Sequence, residues 1–143
     1  MYIYKALVGC LPDVNKMKLV RLINQYSDEF IECKELMEYD YGIICQTHGS
    51  YAGVFLVKVH SETDRNACQI SHFGLIPEHR GNGHGMDMIT VLKDERGPGG
   101  SIVVNVPANF PTWKLDKLKV WGFHAMENMV DGNKDGITYI LYI

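Results

Sequence analysis

Nothing in this sequence approaches the roughly 20 consecutive apolar residues needed to cross a bilayer. No membrane partner is therefore expected. The N-terminal stretch Met1 to Val8 lacks a basic start followed by a long apolar core, so a first strand is expected there rather than a secretion signal. The cytosol is the expected location. A basic excess is missing as well: 14 Lys and Arg stand against 17 Asp and Glu, for a net charge of −3. Broad nucleic-acid binding, which needs a basic face to displace counterions, is thereby disfavoured. No Cys-x-x-Cys pair occurs among Cys10, Cys33, Cys45 and Cys68. Zinc spacing is absent, and four reduced, mostly buried thiols are expected instead. The six histidines show no ligand spacing either. His79 and His84 lie five positions apart across a glycine run, a poor arrangement for a shared metal, so no metal is expected. Repeats, low-complexity tracts and linkers are lacking, and the 143 residues are expected to form one domain, residues 1–143.

What is present is a run of alternating strand and helix patterns. After the first strand, Pro12-Asp13 opens a helix whose apolar stripe, Leu19, Ile23, Tyr26 and Phe30, recurs at helical spacing. A second short helix is expected from Glu32 to Tyr39. Strands follow at Ile43 to Gln46 and Tyr51 to His60, joined by Thr47-His48-Gly49-Ser50, and a further strand runs from Ala67 to Ile76. A helix from Gly85 to Arg96 turns Ile89 and Leu92 inward and stops at Gly97-Pro98-Gly99-Gly100. Ser101 to Val106 is a β-branched strand, Thr112 is expected to cap a helix through Val120, and strands near Met126 to Val130 and Ile137 to Ile143 close the chain. That order predicts an α/β (α+β) fold with a mixed sheet.

The informative stretch is Leu75-Ile-Pro-Glu-His-Arg-Gly-Asn-Gly-His-Gly85, a strand end passing through glycines into a helix. A helix N-terminus offers unpaired N–H groups and a partial positive charge, which suit phosphate. Glycines let the backbone approach the anion closely. The stretch is no P-loop, because Met86-Asp87 follows Gly85 where Lys-Ser/Thr is needed; nor is it a dinucleotide fingerprint, because Met86 stands where a third glycine belongs. It resembles the acetyl-CoA signature of the GNAT N-acetyltransferases, Arg/Gln-x-x-Gly-x-Gly/Ala, through Arg80, Gly83 and Gly85. Trp121-Gly122-Phe123 is similar to the Gly-Phe that follows the last helix of that family, and Asn109 to its Asn after the fifth strand. The resemblance implies a mostly antiparallel mixed sheet flanked by helices, with acetyl-CoA as co-substrate. It implies that the amides of Gly81, Asn82, Gly83, His84 and Gly85 hold the pyrophosphate. The backbone near Phe73 to Leu75 would pair with the pantetheine arm, and Arg80 would either brace the loop or touch phosphate.

Acyl transfer to an amine needs that amine neutral, at a cost of about 4 to 5 kcal/mol for a lysine-like group at pH 7. Many members of the family place a Glu base early in the fourth strand; the comparable residue is Gln69, which cannot accept a proton. Nearby candidates for the base are His72 and Glu78, with His72 the better placed in titration range. The family's Tyr acid corresponds to Leu118, and Tyr139 or Tyr142 could substitute. Asp28, Glu29, Glu32, Glu35, Glu38 and Asp40 crowd the second helical stretch, where an acidic rim would attract a cationic amine acceptor. Lys114, Lys117 and Lys119 are expected to face solvent. Two functions remain: an N-acetyltransferase acting on a primary amine of a small molecule or protein, or a non-catalytic GNAT-fold binding or assembly protein. Pairing into a homodimer is left open.

Overall fold

A computed structural model of the chain describes residues 1–26, 30–59, 67–79, 83–107, 110, 112–126 and 136–143. Its elements are β1 (Tyr2–Ala6), α1 (Asp13–Tyr26), β2 (Tyr41–Thr47), β3 (Ser50–Val59), β4 (Ala67–Leu75), α2 (His84–Arg96), β5 (Ser101–Pro107), α3 (Thr112–Val120), β6 (His124–Ala125) and β7 (Gly136–Tyr142). Short 3₁₀ turns occupy Val8–Cys10, Cys33–Glu38 and Pro77–His79. The strands form one seven-stranded sheet in the order β1-β2-β3-β4-β5-β7-β6. β4 and β5 run parallel, as the intervening crossover helix α2 requires, and the other pairings are antiparallel. The expected element order and the mixed, mostly antiparallel α/β sheet are both present.

Period-two alternation buries the sheet on both faces. On β2, Ile43 and Cys45 join a core with Met88, Ile89 and Leu92 of α2 and Leu118 of α3, while Ile44 joins Leu19 and Ile23 of α1. β3 divides likewise, Phe55 and Val57 toward α2 and α3, Val54 and Leu56 toward α1. The tip of the β2–β3 hairpin is tighter than the expected Thr47–Ser50 connection. It consists of His48 and Gly49 alone, at φ of 49° and 79°. Two consecutive left-handed residues make the turn whose twist matches the flanking strands.

Several boundaries differ from the sequence expectations. Val8 leaves the first strand for the 3₁₀ turn. α1 stops at Tyr26, and Phe30 is 77% exposed rather than part of the apolar stripe. Ile31 takes the inward place: its N–H donates to Asn24 Oδ1 at 2.8 Å and its carbonyl accepts from Asn24 Nδ2 at 2.9 Å. The second helix is a 3₁₀ turn, in which three residues per turn align Glu35 and Glu38, while Glu32 precedes it as the cap. Asp28 and Glu29 lie outside the described residues. Asp40 has a structural task, its carboxylate accepting the Val59 N–H at 2.7 Å. Thr112 is the first helical residue of α3 rather than its cap. β6 begins at His124, before the expected Met126, because His124 and Ala125 pair with Ile140 and Tyr139; residues 127–135 lie outside the described ones. The thiols divide evenly: Cys45 and Cys68 are buried, Cys10 is exposed and Cys33 half-buried, against the expectation of mostly buried cysteines.

Asn24 is the tie between α1 and the segment entering the 3₁₀ turn. Asn24→Ala strands a backbone donor and acceptor at Ile31. It should lower stability by about 1–3 kcal/mol in urea denaturation, with Asn24→Asp, which keeps the acceptor alone, falling between.

Candidate functional site

The site is set by where two strands part. β4 and β5 pair only through Ala67–Ser101, Cys68–Ile102 and Gln69–Val103. Beyond Gln69, β4 stays with β3 to Leu75, while β5 stays with β7 to Pro107. The sheet thus splits, and among the described residues no strand pairs with β4 on that side beyond Gln69. Backbone groups on such an edge need other partners. One is supplied by α3: Lys114 Nζ donates to the Phe73 carbonyl at 2.6 Å.

At the C-terminal end of β4 the chain turns into α2. Gly83 occupies the cap position at φ +82°, a left-handed conformation that favours glycine, and as a glycine it brings no capping side chain of its own. The first amides of a helix begun in this way are suited to an anion. Gly85 answers a different demand. A Cβ there would lie 2.3 Å from Cζ2 of Trp121, so only glycine lets α2 rest against that indole. Beside this turn opens a cavity of about 260 Å³, lined by Phe73, Gly74, Leu75, Gly83, Gly85, Trp113, Lys117 and Trp121 among others. The structure thus gathers four of the expected cofactor residues, Phe73, Leu75, Gly83 and Gly85, around one cavity. His84 sits beside it, its ring 5.4 Å from that of His79, with Nδ1 buried and without a hydrogen-bond partner among the described residues. Arg80, Gly81, Asn82 and Asn109 lie outside the described residues.

The two candidate bases are placed apart. Glu78 is exposed on the Pro77–His79 turn. His72 is 8% exposed and meets the Tyr39 ring edge-on at 5.9 Å. Its face is decided by a bulge. Leu56 opposes His72 and Val57 opposes Ile70, so Ser71 is the extra residue on β4. Without it, period two would put His72 on the face of Ile70. With it, His72 shares the α1 face with Gln69, and Phe73 joins Cys68 and Ile70 on the α2/α3 face. Cys68 is no rival nucleophile, since burial pushes its thiol up to about 12 and keeps it protonated. Of the tyrosines weighed as acids, Tyr142 is 64% exposed and paired with Ser101 at the closed end of the sheet. Tyr139 is buried opposite Val104.

The lysine expectation needs correction. Lys114 is 2% exposed, with its ammonium 4.6 Å from the Phe73 ring centroid, 5.5 Å from that of Trp113 and 5.9 Å from that of Phe110. Lys117 lines the cavity, and only Lys119 of the three is exposed. Sequence reasoning missed Lys114, Trp113 and the role of Trp121. A signal was present, because Lys114 precedes the inward Leu118 by one helical turn and so shares its face.

The architecture is that of the GNAT N-acetyltransferases. The chain is similar to the ribosomal-protein-S18-alanine N-acetyltransferase of Escherichia coli at 14% identity, covering 98% of this chain and 93% of that one with a TM-score of 0.70. Arabidopsis thaliana Naa50, in complex with the bisubstrate analogue CoA-Ac-MVNAL, superposes over 100% of both chains at 13% identity and a TM-score of 0.72. An aminoglycoside 6'-N-acetyltransferase complexed with coenzyme A covers 99% and 96% at 13% identity and a TM-score of 0.74. No family model and no curated protein sequence matches the chain.

Because Gly85 is fixed by Trp121, Gly85→Ala should push the indole aside and cost about 1–3 kcal/mol of stability. Thermal denaturation followed by tryptophan fluorescence checks this; an unchanged transition would mean the ring has room to move.

Proposed function

We propose that this chain is an acetyl-CoA-dependent N-acetyltransferase that moves an acetyl group to a primary amine of a small molecule or protein, within one domain spanning residues 1–143. The observation that carries the reading is the parting of β4 and β5 beside a glycine-capped helix start and a cavity. A slot with a strand edge that β5 leaves along one side and a helix N-terminus at its mouth suits an extended arm ending in a pyrophosphate. Two proteins of the same fold are held with coenzyme A or a CoA bisubstrate analogue, which supports the choice of ligand.

In this reading the amides of Gly81, Asn82, Gly83, His84 and Gly85 hold the pyrophosphate, and Arg80 braces the loop or touches phosphate. The pantetheine arm runs along β4 past Leu75 and Phe73, and Asn109 is a further cofactor-binding residue, as the resemblance implies. His72 is the base, acting directly or through water, with Glu78 the runner-up. The bulge at Ser71 supports His72, since it brings that ring to the face of Gln69, the position where the resemblance places a carboxylate. The acceptor enters from the α1 side. There Glu32 and Glu38 are exposed and Glu35 half-exposed, a negative border that favours a cationic amine. No described helix is long and apolar enough to cross a membrane, and we place the enzyme in the cytosol, where acetyl-CoA is made available.

One observation favours the non-catalytic reading: Leu118, where the resemblance places a Tyr acid, is fully buried. Binding of acetyl-CoA without turnover on any amine would establish that alternative.

Acetyl-CoA at 100 times its Kd should stabilise the fold by about 2.7 kcal/mol, raising the melting temperature by about 5–10 °C. Gly83→Val puts a branched side chain at φ +82° on the phosphate path and should abolish the shift. A full shift in that variant would place the ligand elsewhere.

His72→Ala should lower kcat about 100-fold and remove the limb of the pH–rate profile that reports the base, leaving the acetyl-CoA Kd unchanged. An unaltered profile would move the role to Glu78.

A further inference from the structure

The α1 face of the sheet carries a second cavity of about 260 Å³, lined by Asn15, Lys18, Gln46, Gly49, Ser50 and Tyr51. Aromatic and aliphatic side chains wall most of the first cavity; here every lining side chain carries a polar group. Two hydrogen bonds hold these groups in place. Asn15 Nδ2 donates to the Tyr51 hydroxyl at 2.9 Å, tying the first turn of α1 to the start of β3. The Tyr4 hydroxyl donates to Gln46 Oε1 at 2.8 Å, tying β1 to β2. Burial, and after it the neighbouring Tyr51, pushes the Tyr4 hydroxyl above the ordinary tyrosine range and so keeps it a protonated donor. With these acceptors engaged, the groups left to a guest are chiefly donors: the Gln46 amide N–H pair, the Tyr51 and Ser50 O–H groups and the Lys18 ammonium. Among the described residues no carboxylate lines the cavity or pairs with Lys18. Asp13, in the same turn as Asn15, is exposed and outside the lining. That turn is also the positive end of the α1 dipole.

From this excess of donors we infer that the cavity binds a small oxyanion, a carboxylate or phosphate compound of about eight or nine non-hydrogen atoms at most. The size follows from the volume, since a water-sized group occupies about 30 Å³. The Lys18 ammonium supplies the charge, and the Gln46 and Tyr51 donors fix where the oxygens lie. Asn15, Tyr51 and Gln46 are already held by their hydrogen bonds, so they have little side-chain freedom left to lose on binding. A neutral polyol would bring donors of its own, for which the cavity has few acceptors. The two cavities share no lining residue. They lie on opposite faces of the sheet: Tyr51 packs against the α1 core, whereas Phe55 and Phe73, which line the first, belong to the α2 and α3 core. An oxyanion held here and acetyl-CoA held beside α2 would not compete.

The test is calorimetric titration with succinate and, separately, with inorganic phosphate, at an ionic strength fixed with sodium chloride so that diffuse attraction is screened. Wild type should bind at least one of them with a Kd on the order of 1 mM, and the tighter of the two names the oxyanion group. Lys18→Met should weaken that binding about tenfold or more. Tyr51→Phe, which removes one donor and keeps the ring, should weaken it about five- to tenfold. Lys119→Met, which removes an exposed cation on α3, should leave it unchanged. Amide NMR spectra of wild type locate the ligand without any variant: the shifts should centre on residues 15–18 and 46–51. No binding of either probe up to about 20 mM, an equal loss in Lys119→Met, or shifts centred on residues 83–88 overturns the inference. Acetyl-CoA affinity should be the same in Lys18→Met as in wild type, and each of those three outcomes leaves the acetyltransferase reading standing.

Discussion

The divergence of β4 from β5 after Gln69 is the constraint on which the rest of this structure depends. Two strands held together for only three pairs, each firmly paired on its other side, force a gap into an otherwise continuous sheet. Main-chain groups along the gap must find partners other than a neighbouring strand, as the Phe73 carbonyl does. The gap also explains an ammonium in the core. Once the Phe73 carbonyl has lost its strand neighbour, a long cationic side chain from α3 can meet it, and the surrounding rings add their faces to the same charge. At the mouth of the gap, the cavity and the Gly83-capped start of α2 follow from the same geometry, because the crossover helix follows β4.

Two local irregularities tune the gap. The extra residue at Ser71 shifts the side-chain alternation of β4 by one, which sends His72 to the α1 face and Phe73 to the opposite one. A residue that period-two counting would bury under α2 thereby shares a face with Gln69. The second is the contact of Gly85 with Trp121, which ties the first turn of α2 to the segment following α3. The glycine at 83 is required by its backbone angle and the glycine at 85 by a neighbouring ring. Two glycines of one motif thus serve different physical needs, and the Trp-Gly-Phe sequence belongs to the same assembly as the glycine loop although 36 residues separate Gly85 from Trp121.

The elements legible in the sequence were those governed by short-range periodicity. Alternating apolar residues marked the strands, helical spacing marked α1 and α2, and the glycine run marked the turn between β4 and α2. Errors arose where a distant partner decided the outcome. Phe30 continued the apolar stripe of α1 by count, yet Asn24 captures the backbone of Ile31 and turns that side chain inward instead. Lys114 was grouped with Lys117 and Lys119 as solvent-facing because lysine is seldom buried, and the carbonyl that repays its burial lies 41 residues away on another element.

By itself, the sequence determined the order of strands and helices and the glycine turn after β4, because each rests on local backbone freedom and side-chain period. Only the tertiary structure decided how far β4 and β5 stay together, which face His72 takes, and what a buried lysine is buried against. Those depend on register between strands and on contacts across the sheet, which no local pattern encodes.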